Sequence, residues 1–378
     1  MDDRHRQHAR QGHLSRRDFL RASAAVGMGM ATAPWLSRLP LRADAAPKLS
    51  GTVDFLGWGG HKEDAQIKDF FERTGVKVNF VGFAENADAL TKVKLEGGKK
   101  YDLVAIDALW VPKFNELGLL EPIDIKSWPI YKDLFDEFKD IKVWRAAGGK
   151  TLAMPWSWSP IIVWYNPKYV TGNPSSWDVL FDKKYQKRMA FERQPVDMIA
   201  YMGVATGAKD PYNMTKAQIN EAKEALKRLK PNILKFIDDT GDLVKAFADE
   251  SIWFTLANVG IGERVKAAGG PPLKSFFPKE GYIGYYDGDA LVKGAADRDA
   301  ALAWLQDKAQ AKWLPMNFLR MYRPLAWKSG YDLLVKQGKA DIAKAMMYDR
   351  PDLAMKMIVK GAPPNIGDYV DAFNEVMA

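Results

Sequence analysis

Seven residues carry the chemistry this 378-residue chain offers. They are the aromatics Trp58, Trp110, Tyr285 and Tyr286, and the carboxylates Asp107, Asp197 and Asp287. Aromatic faces attract cations, and carboxylates hold ammonium groups through charge-assisted hydrogen bonds. A flexible methylene chain with amine ends would call for both. Any one of these aromatics could serve as core packing, but each member of the set falls at the end of a predicted strand. Three polar residues stand close by in sequence. His61 follows Trp58, and Arg193 with Gln194 follows another predicted strand.

The motifs of the common enzyme classes are missing. There is no phosphate-cradling GxxxxGK, no GxGxxG after a strand, no HExxH and no GxSxG. With no cysteine, thiolate metal sites, iron–sulfur clusters, disulfides and Cys nucleophiles are excluded together. Only four histidines occur, three of them (His5, His8, His13) before residue 14. His61 alone provides little for a metal cluster or for general base catalysis. The carboxylate pairs Asp238–Asp239 and Asp287/Asp289 read as turn and cap residues. Binding without catalysis, cofactor or resident metal is the expectation.

The elements that would position these residues alternate between strand and helix. Thr52–Leu56, Val76–Phe83 and Tyr101–Ile106 read as strands. Between them lie a helix with Ile67, Phe70, Phe71 and Thr74 on one face, stopped by Gly75, and a second capped by Asn86 and carrying Leu90 and Val93. Such alternation implies a parallel sheet, whose ligands bind beyond the strands' carboxyl ends. Trp58 and Asp107–Trp110 fall at those ends. A second α/β unit begins at Met189–Phe191 and includes a capping box at Thr215/Gln218 and strands Ser251–Leu256 and Tyr282–Tyr286. Between the units runs Thr151–Phe181. In it a Pro and Trp turn (Met154–Pro160) precedes a buried strand (Ile161–Tyr165), together a rigid extended crossing. The length also favours two domains. The reading is an α/β bilobal fold: lobe 1 over 50–157 with 288–328, and lobe 2 over 158–287 with 329–378.

Pro155-Trp156-Ser157-Trp158, Tyr165-Asn166 and Ser176-Trp177-Asp178-Val179-Leu180 resemble the corresponding motifs of the periplasmic spermidine/putrescine-binding proteins. Those are soluble receptors of ATP-driven (ABC) importers. The resemblance implies the bilobal periplasmic binding protein fold (type II), a polyamine bound in the interlobe cleft, and delivery to an inner-membrane permease by a monomer. By the same resemblance Trp58 matches a ligand-stacking Trp, Tyr285 an aromatic wall, and Asp197 and Asp287 acidic ligands for amines. Departures accompany these matches. Gln194 stands where the family has Asp, Ala257 where a Trp is expected, and His61 and Leu109 replace tyrosines. Two other ligands therefore stay open. One is a zwitterion such as an amino acid derivative or aminophosphonate, with Arg193 meeting the acid. The other is ferric iron held by Tyr285 and Tyr286, although adjacent residues of a strand point to opposite faces.

The N-terminus addresses the compartment. A basic, polar start leads into Ser15-Arg16-Arg17-Asp18-Phe19-Leu20, an apolar run from Ala22 to Trp35, and a small-residue cleavage site at Ala43-Asp44-Ala45. This is a twin-arginine export pattern over residues 1–45, with an apolar run too short to span a membrane. Residues 1–46 hold eight Arg and four Asp, so they take +4 of the formal +8 charge with them. The remainder is balanced enough to argue against nucleic acid as partner.

Overall fold

The computed structural model describes residues 49–83 and 85–378. The export segment lies outside them. No described helix is long and apolar enough to cross a membrane.

The first sheet is built from β1 (Thr52–Gly57), β2 (Lys77–Gly82), β3 (Leu103–Asp107), β4 (Leu120–Glu121) and β5 (Met154–Pro160), with β11 (Ile283–Val292) and β12 (Ile358–Val359) arriving late. Its order is β12-β11-β3-β1-β2, with β4 and β5 also paired to β11. The second contains β6 (Ile162–Tyr165), β7 (Met189–Glu192), β8 (Ile233–Ile237), β9 (Phe254–Ala257) and β10 (Lys274–Phe276), in the order β10-β6-β9-β7-β8. Each sheet repeats one plan. Three parallel strands are followed by an antiparallel strand that has crossed from the other lobe. That strand is β11 beside β3 in the first sheet and β6 beside β9 in the second. This is the α/β bilobal binding-protein fold expected from the sequence. The cover of helices on the faces explains why β3 is almost continuously apolar and buried. β11 is buried throughout and carries Asp287 and Asp289 within it.

The crossings meet at β5 and β11, which pair antiparallel from Met154/Asp289 to Pro160/Gly284. Met154–Pro160 is thus a fully buried strand rather than the predicted turn. The first of its two prolines, Pro155, is accommodated by a register shift between Asp287 and Gly288, so that Trp156 is left without a ladder partner. At this bulge the Ser157 N–H donates to the Asp287 side chain.

Two local expectations also change. Asn86 does not cap its helix (α2, Asn86–Glu96). It is the first helical residue, and its side chain turns to Asp107. In α1 (Asp64–Thr74) Phe71 is 46% exposed, while Phe70 is buried against Trp304. The segment after Lys328 divides between the lobes. Tyr348 donates its hydroxyl to Trp327 O and packs on Phe318 and Phe135 at the β5 side of the first sheet. The terminal helix Ile366–Met377 instead buries Tyr369 and Phe373 in the core beneath β7 and β9. The predicted assignment of all of 329–378 to lobe 2 is therefore too coarse, because the aromatic face around Tyr348 is complementary to the first lobe.

Candidate functional site

Strand ends from both sheets converge on a cavity of about 380 Å³, within the range of small-ligand sites. Trp58, after β1, and Asp107 and Trp110, at and after the end of β3, line it from the first sheet. Glu192, Gln194 and Asp197, at and after the end of β7, and Ala257 and Asn258, at and after the end of β9, line it from the second. Tyr285 and Asp287 enter on β11, at the crossing. The placement follows from topology: in both sheets the parallel strands point their carboxyl ends at the same cleft.

Asp287 is held most firmly. Its Oδ1 accepts from Ser157 N–H (3.0 Å) and Ser157 Oγ–H (2.7 Å), and its Oδ2 lies 3.3 Å from His61 Nε2. Burial would raise its carboxyl, but His61, Arg323 and Ser157 more than offset it, leaving the group below the ordinary carboxylate range. His61 is itself fully buried and lies 2.8 Å from Asp289 through Nδ1. Asp289 in turn accepts from Lys308. Burial pulls the Lys308 ammonium down to about 8 despite that partner. His61 therefore stands behind the cavity wall as a support for Asp287, and does not line the cavity as a ligand contact would.

Asp107 faces Asp287 across the β3–β11 ladder. Its Oδ2 accepts from Asn86 Nδ2 (2.8 Å), and Asn86 Oδ1 accepts from the Asp107 N–H (3.1 Å). Burial and then the charge of Asp287 push its carboxyl up to about 6, against the opposing pull of Lys360 and Asn86. Asp197 is saturated in a different way. Tyr212 donates to Oδ1 (2.5 Å) and Lys360 to Oδ2 (2.6 Å). Lys360 also donates to Gln194 Oε1 (2.9 Å), and Asp197 holds its ammonium above the ordinary lysine value in spite of burial.

Several expected site residues have different surroundings. Arg193 does not reach the cavity. It is half exposed, 3.4 Å from Asp238 and over the Phe236 ring. The Arg193 role is corrected: strand alternation at the end of β7 turns it away from the side on which Glu192 and Gln194 line the wall. Tyr286 points away from Tyr285 into the core, between Trp144 and Phe138. The two phenols cannot share an iron, as the period of a strand dictates. Sequence reasoning missed Arg323 and Lys360. Neither belongs to a motif, and each is carried to the cavity by a short connector far along the chain. The one available signal was a Tyr322-Arg323-Pro324 step, in which a proline constrains the residue before it.

A mostly preformed cleft between two such sheets, walled by aromatics and carboxylates and joined by paired crossing strands, is the site of a receptor that encloses a small solute. The chain belongs to the bacterial extracellular solute-binding protein family, which matches over residues 65–318. Residues 13–33 match the twin-arginine signal sequence, which directs the protein to the periplasm. Among its relatives is the putrescine-binding periplasmic protein PotF of Escherichia coli, 26% identical over 67% of this chain and 72% of that protein. The spermidine/putrescine-binding periplasmic protein 1 of Haemophilus influenzae is 25% identical over 68% and 71%. The substrate-binding protein PotD of Streptococcus pneumoniae shares the fold, with a TM-score of 0.71 and 19% identity over 86% of this chain and 98% of that one.

Proposed function

We propose that this protein is the substrate-capturing component of an ABC importer, working as a monomer. It takes an amine-bearing solute of the polyamine type into the cleft and passes it to an inner-membrane permease. The observation that carries this reading is the Asp107–Asp287 pair. Two carboxylates, Asp287 buried and Asp107 half-buried, lie on adjacent strands, with Trp58 and Trp110 beside them on the cavity wall. Desolvation first, and then the charge of Asp287, raise Asp107 to about 6, so its ionised form is disfavoured in the cavity. An ammonium group between the carboxylates would offset this, and the aromatic faces would hold the adjoining methylenes. The names of the relatives support an amine as ligand. The role is non-catalytic: the groups around the cavity orient and neutralise charge.

The lobes would close about the β5–β6 and β10–β11 crossings when ligand enters. The deciding experiment is mass spectrometry of small molecules released from the purified protein, followed by calorimetry with putrescine and spermidine. An amine in the released fraction that rebinds supports the reading. Release of a ligand without any basic nitrogen would sink it.

A further inference from the structure

We infer that the cavity recognises a ligand bearing an acid group as well as an amine, with Arg323 as the principal anion contact and Lys360 as its neighbour. This deepens the amine reading above and rests on it.

A count of unused bonding capacity leads there. Of the three carboxylates expected to bind amines, Asp197 already has both oxygens bonded, to Tyr212 and Lys360. Asp287 accepts twice from Ser157 and lies against His61. Asp107 alone combines a raised carboxyl with a single side-chain donor, Asn86. Of these three, Asp107 alone thus has capacity left for an ammonium; of the other carboxylates on the wall, Glu192 already accepts from Thr240 and Gln194, and Glu85 is exposed to solvent. Donors are in the opposite condition. Arg323 lines the cavity, yet among the described residues its guanidinium makes no hydrogen bond. Its Nε is buried without a partner, and the nearest carboxylate oxygen, on Asp287, is 3.8 Å away, too far for one. A guanidinium carries five N–H donors in a planar fork that matches a carboxylate or phosphonate. The charge is retained: burial would lower it, but Tyr285 and Asp287 hold it above the ordinary arginine value.

The backbone is arranged to place this side chain. Helix Leu314–Met321 ends on Tyr322, a non-glycine residue with φ +52°, whose N–H closes the helix on Phe318 O. A left-handed conformation is unfavourable for a tyrosine, whose Cβ crowds the following carbonyl. Pro324 then disfavours a helical conformation at Arg323, and Leu325 bridges to Ser157 on β5. Arg323 consequently packs its guanidinium 5.4 Å from the Tyr285 ring centre, with the Lys360 ammonium 5.9 Å from the same ring. Both cations border one aromatic surface, with Asp107 in the same cavity. A short amino acid could present its acid to Arg323 while its amine reaches Asp107.

The test is calorimetry on the mature protein with two length-matched pairs, putrescine against γ-aminobutyrate and cadaverine against δ-aminovalerate, and with spermidine. In at least one pair the amino acid is expected to bind about tenfold or more tighter than its diamine. Arg323→Gln should weaken that amino acid by about 30-fold or more and leave the diamine unchanged or tighter, since it removes a desolvated charge partner of the acid only. Arg323→Lys, which keeps the charge, should recover part of the loss, and a thermal midpoint for each variant verifies folding. The inference is overturned if the diamine is preferred in both pairs, or if Arg323→Gln weakens both members equally. In either case the amine reading survives, with Arg323 and Lys360 acting only as internal counter-ions. Binding of none of the five compounds overturns both.

Discussion

Asp287 and Asp197 face one cavity from opposite lobes, and both were expected to hold an amine. They are neutralised in unlike ways. Asp287 sits on a central strand, and its partners are the backbone and hydroxyl of Ser157 on the next strand and a buried His61. Asp197 is in the first turn of the helix Pro195–Ala205, and its counter-ion, Lys360, comes from a connector after β12. The first arrangement is part of the sheet and carries the crossing bulge. The second is an ion pair between separate pieces of chain, each partner about 15% exposed, and could exchange for contacts with a ligand. A carboxylate in a binding cleft can thus be a structural acceptor or an adjustable charge, and its bonding partners distinguish the two.

The largest effect is expected where the comparison would be broken outright. Asp287→Ala strips Ser157 of its acceptor and leaves His61 with Asp289 alone. Removing one partner from a buried, charged network costs about 3–5 kcal/mol of stability. The urea midpoint should fall accordingly, and amine binding with it. A change below about 1 kcal/mol would mean that Asp287 is as dispensable to the fold as an exposed ion pair.

Asp107→Asn should move stability in the other direction. The folded-state value of Asp107, about 6, exceeds the unfolded value of an aspartate. Folding is therefore unpenalised below about pH 4, and stability is lost as pH rises from there through 6. An isosteric neutral side chain avoids this, so the variant should be more stable than wild type at pH 8, by about 1–3 kcal/mol, and equal to it near pH 4. Amine binding has the opposite pH dependence, because the ammonium needs the ionised carboxylate. Wild-type affinity should decline below pH 6, and the variant should bind weakly at every pH. If the variant is no more stable at pH 8, Asp107 is already compensated without ligand, and the argument for an ammonium beside it fails.

Next comes Trp58→Ala, which removes no charged group, although the ring packs 5.4 Å from that of His61. Loss of its apolar and cation–π contact should weaken an amine ligand by about 1–3 kcal/mol in calorimetry. The half-buried ring, packed 4.7 Å from Phe83, should matter less to the fold. A ligand affinity unchanged by the substitution would place the amine elsewhere in the cavity.

The contrast between Asp287 and Asp197 also marks what could be read from sequence. Strand periodicity and the Pro–Trp crossing were enough for the two-sheet plan, since alternation and fixed φ are local properties. Trp58, Asp107 and Asp197 could be found because a parallel sheet directs its carboxyl ends to one place, whereas Asp287 lies in the middle of the antiparallel β11 and reaches the cavity at the crossing bulge. Their partners could not be found. Whether Asp197 faces a ligand or Lys360 depends on a connector 163 positions away. Arg323 depends on one left-handed tyrosine. His61 looked like a loop residue, yet it is buried because Asp287 and Asp289 flank it on alternate positions of β11. Such facts are set by tertiary packing, and no local pattern carries them.

Arg193→Ala should have the smallest effect, and it tests whether proximity in sequence to Gln194 means anything for the ligand. Arg193 stands one residue from a cavity-lining position, and only its side-chain direction excludes it. Its guanidinium faces an exposed Asp238 at 3.4 Å and the Phe236 ring at 5.8 Å. An exposed ion pair of this kind contributes about 0–1 kcal/mol, most of it screened at physiological salt. The substitution should therefore shift the thermal midpoint by little and leave amine and amino acid affinities within about twofold of wild type, a difference of about 0.4 kcal/mol. The same titrations with Arg323→Gln provide the contrast. Should Arg193→Ala abolish binding of an acid-bearing ligand while Arg323→Gln does nothing, the two arginines would have exchanged roles. The Glu192–Asp197 turn would then have to rearrange to bring Arg193 into the cleft.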